Sequence, residues 1–335
     1  MSGHHAIIGA GAVGGVLAAR LAAAGEQVTL VVRPSRLEAY QAPERLRLDN
    51  AEGRSLIESQ PPSISDRVPD TADTVYLAVK HTALDTTLET LKDQLPARAT
   101  LVSCLNGIGV TDRLRQHFPD HPARQLTIMF NAAMLSPLHY RITTHPGLVL
   151  DGPRDALFKT LRQAGFRVAR GNEAIARGKL LINLNNALCA LTGTSFRDLL
   201  LNPDLRVVFM AVVDEAIEAF NAAGLPWRLP MPLPYPLYRL LVRHGGRLPW
   251  WLARLNNGLT GAAYPSMVAD IHAGRATEIR ELNGVISELG RRHNVPTPLN
   301  DTVVTLVLAL EAGDGEQFSP ARLRRRLELD HSSGD

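Results

Sequence analysis

Residues 7–15 read IIGAGAVGG, an apolar run followed by Gly9, Gly11 and Gly14 in G-x-G-x-x-G spacing. In such a motif the first glycine permits a tight turn, the second lets the backbone approach a pyrophosphate, and the third lets a helix pack closely on a strand. The N–H groups at the start of that helix then face the phosphates. The stretch predicts a strand–loop–helix unit that binds a dinucleotide; the alternative is a glycine-rich turn in some other α/β protein.

The first half of the chain alternates between short apolar runs and helical runs. Strands are predicted at residues 6–9, 27–32, 74–79, 100–104, 126–132 and 147–150. Helices are predicted at residues 13–24 and 83–95. This alternation is typical of a doubly wound, mainly parallel sheet, so the fold class expected here is an α/β Rossmann domain.

The second half of the chain has helical periodicity instead. Predicted helices cover residues 174–191, 205–223 and 278–294, and we find no strand-rich segment between them. The sequence therefore predicts a Rossmann domain over residues 1–170 and an all-α domain over residues 171–335.

Composition narrows the class of protein. The chain has 335 residues, 45% of them hydrophobic and 21% charged, with a net charge of +3, as in ordinary globular proteins. We find no signal peptide and no apolar run of the roughly 18 residues expected of a membrane span, so no membrane partner is expected. Cys104 and Cys189 lie in apolar segments and are interpreted as reduced thiols of a cytoplasmic protein.

Neither a nucleic-acid partner nor a metal site is expected. The arginine run at residues 324–326 fits a solvated helix better than a nucleic-acid-binding arm. The eleven histidines are scattered, and none pairs with Cys or Asp at the spacing of metal ligands.

The end of the second predicted strand distinguishes between the two nicotinamide cofactors. NAD-binding sites usually carry Asp or Glu there, bonded to the ribose hydroxyls. This chain reads VTLVVRPSR, with Arg33 at that position and Arg36 three residues later. A guanidinium can bind a 2′-phosphate bidentately, whereas a carboxylate would repel it. Arg33 therefore predicts that NADP(H) is the cofactor; the alternative is that Arg33 is an ordinary surface arginine. For Arg36, phosphate binding and an ordinary surface position are equally supported.

A lysine and two amides lie close together in the stretch GKLLINLNNAL. Lys179 and Asn183 are four residues apart, which places both on one face of the predicted helix, and Asn186 follows three residues later. A lysine that projects from an apolar helix into a cleft can donate a proton to a developing alkoxide. A solvent-exposed polar stripe is the alternative.

Further candidate residues lie at predicted element ends. Ser266 is placed to cap a helix, and that helix end could also bind a substrate carboxylate. Glu278 is predicted in the first turn of the next helix, where it could act chemically or only complement the helix dipole. Lys80 and Asn106 follow two strands, and the carboxyl ends of parallel strands are where open α/β sheets bind ligands. The Asn106 position could otherwise be a plain turn.

Taken in chain order, these motifs resemble ketopantoate reductase (2-dehydropantoate 2-reductase). The order is GAGAVGG, AVK, LNG, K-x-x-x-N, and then S-x-x-x-D-x-x-x-G-R-x-T-E-I-x-x-L-N-G, over about residues 4–310. The last motif, residues 266–284, is the most specific one. In that family a Rossmann domain joins a helical domain, and NADPH reduces a 2-oxo acid in the cleft between them.

The resemblance implies a role for each matching residue. Lys179 corresponds to the family's catalytic lysine, which donates a proton to the carbonyl oxygen, and Asn183 to the asparagine that helps place the substrate. Ser266 corresponds to the serine directed to the substrate carboxylate, and Glu278 to the glutamate directed to the substrate hydroxyl. The remaining matches are Lys80 and Asn106, close to cofactor and substrate, and Arg33, after the second strand.

The match has departures. The family often has a second asparagine eight residues after the lysine, where this chain has Ala187 beside Asn186, and often a polar residue where this chain has alanines at 262 and 263. The segment 226–259 is long and rich in Pro, Trp and Tyr, and could be a lid, a homodimer surface or a pocket wall. A dehydrogenase for a bulkier oxo acid or an imine, and a non-catalytic NADP-binding sensor, remain as alternatives.

Overall fold

The chain forms two compact units, Met1–Glu173 and Ala174–Asp335. The computed structural model describes residues 3–257 and 264–329, with side chains 256 and 257 excepted. The first unit is α/β with a mostly parallel sheet, and the second is helical over its described residues. The predicted fold class is confirmed.

The strands of the first unit follow one another along the chain as β1 (His4–Ile8), β2 (Gln27–Val31), β3 (Leu46–Asp49), β4 (Ser55–Ser59), β5 (Ser63–Ser65), β6 (Thr74–Leu77), β7 (Thr100–Ser103), β8 (Ala123–Ile128), β9 (Ala132–Ser136), β10 (His139–Ile142), β11 (Gly147–Asp151) and β12 (Arg167–Gly171). Over the described residues the main sheet has the order β12-β11-β8-β7-β6-β1-β2-β5. Its neighbours run parallel except β8 and β11. The carboxyl ends of β2, β1, β6 and β7 therefore lie side by side.

A second sheet, in the order β4-β3-β10-β9, is absent from the sequence prediction. Its strands are short, and β4 and β9 are largely exposed, so they show little of the apolar character that marks a buried strand. The strand predicted over residues 126–132 is correct only as far as Ile128, where β8 ends. The chain leaves the main sheet at Ile128 and joins the second sheet at Ala132, where β9 pairs antiparallel with β10.

The helices of the first unit are α1 (Ala12–Ala23), α2 (Leu37–Gln41), α3 (Leu84–Leu91), α4 (Val110–His117) and α5 (Ala156–Gln163). Helix α1 contacts strands of both sheets, which explains why it is built of small and aliphatic residues that are mostly buried. The helix predicted over residues 83–95 is shorter than expected. A 3₁₀ turn at His81–Ala83 precedes α3, which ends at Leu91.

The helices of the second unit are α6 (Glu173–Asn183), α7 (Asn185–Thr192), α8 (Phe196–Leu201), α9 (Pro203–Ala222), α10 (Tyr235–His244), α11 (Leu248–Asn257), α12 (Ser266–His272), α13 (Asn283–His293), α14 (Pro298–Ala312) and α15 (Pro320–Arg326). Helix α6 begins at Glu173, the last residue of the first unit, and its other residues belong to the second unit. Among the helices within residues 3–257 and 264–329, none has the length and apolar character needed to cross a membrane.

Two helix predictions in this unit are wrong in ways that affect the site. The helix expected over residues 174–191 is interrupted at Leu184 and forms α6 and α7. The side-chain amide of Asn185 donates to the carbonyl of Ile182, so a polar side chain satisfies the backbone at this interruption. The helix expected from residue 278 begins at Asn283, because Gly284 N–H bonds to Ile279 O, five residues back, rather than in the α-helical pattern.

Candidate functional site

The glycine loop after β1 is held by close backbone packing at two of its glycines. Gly9 has φ +99°, and a Cβ there would lie 2.7 Å from the carbonyl oxygen of Ala78. A Cβ on Gly14 would collide with the Gly9 carbonyl, whereas a Cβ on Gly11 would meet nothing within 4 Å. Gly9 and Gly14 are thus needed for local packing, while the backbone at Gly11 is open to an approaching group.

The side chains that support this loop from beneath were not predicted from the sequence. The carbonyl of Ala10 accepts hydrogen bonds from the hydroxyls of Tyr40, at 2.9 Å, and Tyr140, at 3.1 Å. Both tyrosines are buried. A Cβ on Gly15 would collide with the Tyr140 ring, so the fourth glycine of GAGAVGG makes room for that side chain. Gly15, the second glycine of the GG pair, was the only hint of this contact in the sequence. A glycine does not indicate which side chain packs against it.

Arg33 and Arg36 lie beyond β2, as predicted. Arg33 is exposed and extended, with φ −62° and ψ 145°, and precedes a 3₁₀ turn at Pro34–Arg36. The Arg36 guanidinium lies 5.9 Å from the centroid of the Tyr40 ring. One arginine is therefore presented to solvent at the strand end, and the next is held against an aromatic ring.

Lys80 and Asn106 follow neighbouring parallel strands. Lys80 is exposed and comes just after β6, and Asn106 is half-buried and comes just after β7. His81 Nε2 lies 2.6 Å from the Asn106 carbonyl oxygen and ties the two loops together. The structure thus places Gly9, Gly11, Arg33, Lys80 and Asn106 after four adjacent strands of one sheet.

In the second unit, α6 carries Lys179 and is held by the chain that follows α9. A Cβ on Gly178 would collide with the carbonyl of Arg228. Arg228 N–H donates to Ala174 O at 2.8 Å, and the Arg177 guanidinium donates to Pro226 O at 2.8 Å. Gly178 was not singled out from the sequence, although it precedes the lysine directly.

Lys179 and Glu278 interact. Burial lowers the pKa of Lys179 to about 8, and the charge of Glu278 acts in the opposite direction. Glu278 lies in a turn before α13 rather than in the first turn of a helix, so the dipole-complementing alternative does not apply. The preceding residue, Thr277, donates to Glu311 from its hydroxyl and, at 2.8 Å, from its N–H, which fixes the start of this turn.

The two candidate amides lie on either side of the interruption at Leu184. Asn183 ends α6, one turn after Lys179, and Asn186 is the second residue of α7; both are half-buried. The three side chains therefore lie on two helices rather than one, although Leu184 between them keeps α-helical backbone angles, φ −58° and ψ −19°.

Ser266 is exposed and is the first residue of α12, which packs against α7. The capping interpretation is wrong, since Pro265 occupies the N-cap position and makes no side-chain cap. Asp270, four residues after Ser266, is buried and accepts a hydrogen bond from Arg275 Nε at 2.9 Å. The motif that contains Ser266 therefore also holds its own loop in place. Residues 262 and 263 lie outside the described residues.

The segment 226–259 contains α10 and α11, and residues 258 and 259 fall outside the described ranges. Helix α11 presents a stripe of exposed apolar side chains, formed by Leu248, Trp251, Leu252 and Leu255. Most apolar helix faces are buried, so this stripe is a candidate contact surface.

Two family models match the chain. The model described as "Ketopantoate reductase PanE/ApbA" matches residues 5–155, and the model described as "Ketopantoate reductase PanE/ApbA C terminal" matches residues 173–311. Among similar curated proteins, the 2-dehydropantoate 2-reductase of Aquifex aeolicus is 26% identical over 319 residues, covering 91% of this chain and 96% of that protein. That of Mycobacterium tuberculosis (strain H37Rv) is 28% identical over 318 residues, covering 92% and 98%.

Solved structures show the same fold. A PanE/ApbA family ketopantoate reductase from Ralstonia eutropha JMP134 has a TM-score of 0.76 at 26% identity, covering 93% of this chain and 99% of that one. D-mandelate dehydrogenase with NADH and anilino(oxo)acetate has a TM-score of 0.77 at 23% identity, covering 92% and 99%, a likeness that shows the fold alone. The resemblance inferred from the motifs is confirmed: the chain belongs to the ketopantoate reductase PanE/ApbA family of oxidoreductases.

Proposed function

We propose that this protein reduces a 2-oxo acid to a 2-hydroxy acid with NADPH, and that 2-dehydropantoate, which would yield pantoate, is the leading substrate. The observation that carries the proposal is Lys179, an ammonium whose pKa is lowered to about 8 by burial and on which Glu278 acts. Perturbed lysines of this kind are typical of proton-transfer sites. The relatives named 2-dehydropantoate 2-reductase support the choice of substrate.

The first unit fits a dinucleotide. The open backbone at Gly11 and the start of α1 leave N–H groups for a pyrophosphate, with no side-chain cap to compete for them. Gly9 and Gly14 maintain the turn, and Arg33 is exposed where a 2′-phosphate would need a cation. Lys80 and Asn106 stand at the neighbouring strand ends and would bind near the nicotinamide half.

When bound, the dinucleotide would supply a hydride to the carbonyl carbon of the substrate. Negative charge then develops on the carbonyl oxygen, and Lys179 would stabilise that charge before it gives up a proton from Nζ. Glu278 would keep the ammonium protonated until that moment, because its charge raises the lysine pKa. It would also accept a hydrogen bond from the new hydroxyl.

The remaining polar groups are assigned to substrate placement. Asn183 lies one helical turn from Lys179, and Asn186 opens the next helix, so both amides would hold polar groups of the substrate. The exposed Ser266 hydroxyl would bind its carboxylate. In the first unit, Asn106 is assigned to both cofactor and substrate.

The structure bears on two alternatives to this proposal. A bulkier oxo acid or imine is favoured by the segment 226–259, whose apolar and aromatic side chains could enlarge a pocket. An NADP-binding sensor would need the glycine loop but not an interacting Lys179 and Glu278, so that pair favours an enzyme.

The deciding experiment is an NADPH-oxidation assay across a panel of 2-oxo acids, with 2-dehydropantoate and larger analogues included. We expect turnover with 2-dehydropantoate and its loss in Lys179→Ala. Higher kcat/KM with a larger oxo acid would reassign the substrate. No turnover on any member, with tight NADPH binding retained, would support the sensor.

A further inference from the structure

Tyr40 is buried, with 4% of its surface exposed, and it lies between the glycine loop and the arginines that follow β2. Its hydroxyl donates to Ala10 O at 2.9 Å, lies 3.1 Å from Met134 Sδ and interacts with the Arg36 guanidinium. Its ring lies 5.9 Å from the Arg36 guanidinium carbon. A cation within about 6 Å of an aromatic centroid is attracted to the ring. One side chain therefore contacts both the glycine loop, which the proposed function assigns to the cofactor, and Arg36, which lies three residues after Arg33.

The hydrogen bond to Ala10 has a consequence for Gly11. In a trans peptide the C=O and the following N–H point in opposite directions, and the described residues include no cis peptide bond. Because Tyr40 and Tyr140 hold the Ala10 carbonyl toward the buried side, the Gly11 N–H must point away from them. A Cβ at Gly11 would also meet nothing within 4 Å, so the protein leaves space at this residue.

The two tyrosines differ in what else they contact. Tyr140 comes from β10 and packs beneath α1 against Gly15; its hydroxyl also interacts with that of Tyr40, but within the described part of the chain its ring has no cation–π contact with Arg36. Tyr40 comes from α2, four residues after Arg36, and is the one whose ring faces a guanidinium. Any effect on selection between the cofactors should therefore depend on Tyr40 and not on Tyr140.

We propose that Tyr40 is a positioning residue for NADP(H): its hydroxyl orients the Gly11 N–H toward the pyrophosphate, and its ring holds Arg36 for the 2′-phosphate. The inference rests on the NADP(H) part of the proposed function. It assigns Arg36, which the sequence left open between cofactor and surface, to the phosphate subsite. The proposal also assigns separate contributions to the hydroxyl and to the ring of Tyr40, and each can be measured.

The test measures binding rather than turnover, by fluorescence titration of NADPH and NADH and by calorimetric titration of 2′,5′-ADP and ADP. Tyr40→Phe keeps the ring and loses the hydroxyl, so it should weaken both NADPH and NADH by about three- to tenfold, the value of one buried hydrogen bond. The loss should be somewhat larger for NADPH, because the hydroxyl also interacts with Arg36. Tyr40→Leu should in addition reduce the NADPH-to-NADH preference by about two- to fivefold, the value of one exposed cation–π contact. Tyr140→Phe is the matched control and should leave the preference unchanged.

A double-mutant cycle with Arg36→Ala shows whether Tyr40 acts through Arg36. In the Arg36→Ala background, Tyr40→Leu should cause no further loss of preference. An unchanged preference in Tyr40→Leu, or strict additivity with Arg36→Ala, would overturn the inference. Native protein that binds neither NADPH nor 2′,5′-ADP would instead overturn the proposed cofactor, so the two failures are distinguishable.

Discussion

Gly178 packs directly against the carbonyl of Arg228, so closely that residue 178 has no room for a Cβ. Lys179 is the next residue. The helix that presents the proposed proton donor is therefore held by the chain that leaves α9, through a contact that only glycine permits. Hydrogen bonds from Arg228 to Ala174 and from Arg177 to Pro226 reinforce the same contact.

This packing predicts the effect of Gly178→Ala. An added methyl must displace backbone rather than a flexible side chain, and overpacking of this kind costs about 1–3 kcal/mol. We expect a lower melting temperature and a reduced kcat, because α6 must shift and carry Lys179 with it. Thermal unfolding and steady-state kinetics measure the two effects. Gly284→Ala is the control, since a Cβ there meets its nearest neighbour at 3.5 Å; equal losses in both variants would argue against a special contact at residue 178.

Removal of the proton donor should affect chemistry and not cofactor binding. We predict that Lys179→Ala lowers kcat by roughly a hundredfold or more, the range for general acid–base groups. NADPH affinity should change little, because the glycine loop and Arg33 belong to the other unit. Steady-state kinetics with a parallel NADPH titration test this. Near-normal kcat would mean that water or another group supplies the proton.

The lowered pKa of Lys179 predicts a pH dependence. Reduction needs the ammonium form, which is present below the pKa of about 8 and is lost as pH rises through it. The rate of reduction should therefore fall above about pH 8, and the reverse oxidation of the hydroxy acid should rise over the same interval. Rate profiles in both directions from pH 6 to 10 test this.

Glu278 raises the pKa of Lys179, so its removal should move that profile. In Glu278→Gln the fall in reduction rate should begin at lower pH, whereas Glu278→Ala should also raise KM because substrate placement is lost. A Glu278→Gln profile that coincides with the native one would show that the two charges are not coupled in the working enzyme.

Arg33 predicts cofactor selectivity. NADPH should bind at least about tenfold more tightly than NADH, a difference of about 1.4 kcal/mol. Arg33→Asp should erode or reverse this preference, because a carboxylate repels the 2′-phosphate. Fluorescence titration of both cofactors decides the matter. Equal affinities in the native protein would contradict the assignment of Arg33.

Of the three interpretations of the segment 226–259, the apolar stripe on α11 favours the homodimer surface. Exposed Leu and Trp side chains at helical spacing favour burial against another surface. We expect light scattering to give a dimer mass for the native chain and a monomer mass for Trp251→Ser combined with Leu255→Ser. Leu56→Ser, at an exposed leucine of the first unit, should leave the mass unchanged. A native monomer would leave the lid and pocket-wall alternatives for the segment 226–259.

The errors in the sequence prediction have a common cause. Residues 126–132 form one apolar run, yet Ile128 ends a strand of one sheet and Ala132 begins a strand of the other. Residues 174–191 have the apolar periodicity of one helix, yet the helix is interrupted at Leu184. Apolar periodicity indicates which residues along the chain are buried. It does not indicate which element buries them, or where a side chain replaces a main-chain group as a hydrogen-bond partner.

The sequence by itself determined what depends on local backbone requirements. Gly9, Gly11 and Gly14 specify a strand–loop–helix turn, because their spacing and freedom of φ leave few other conformations. The prediction of NADP(H) binding from Arg33 follows from the position of that residue after the second strand. The tertiary structure alone decided the contacts between distant residues: Tyr40 and Tyr140 reach Ala10 across 30 and 130 residues, and Glu278 reaches Lys179 from a turn far along the chain. No periodic pattern encodes such contacts, because they depend on how already formed elements pack against one another.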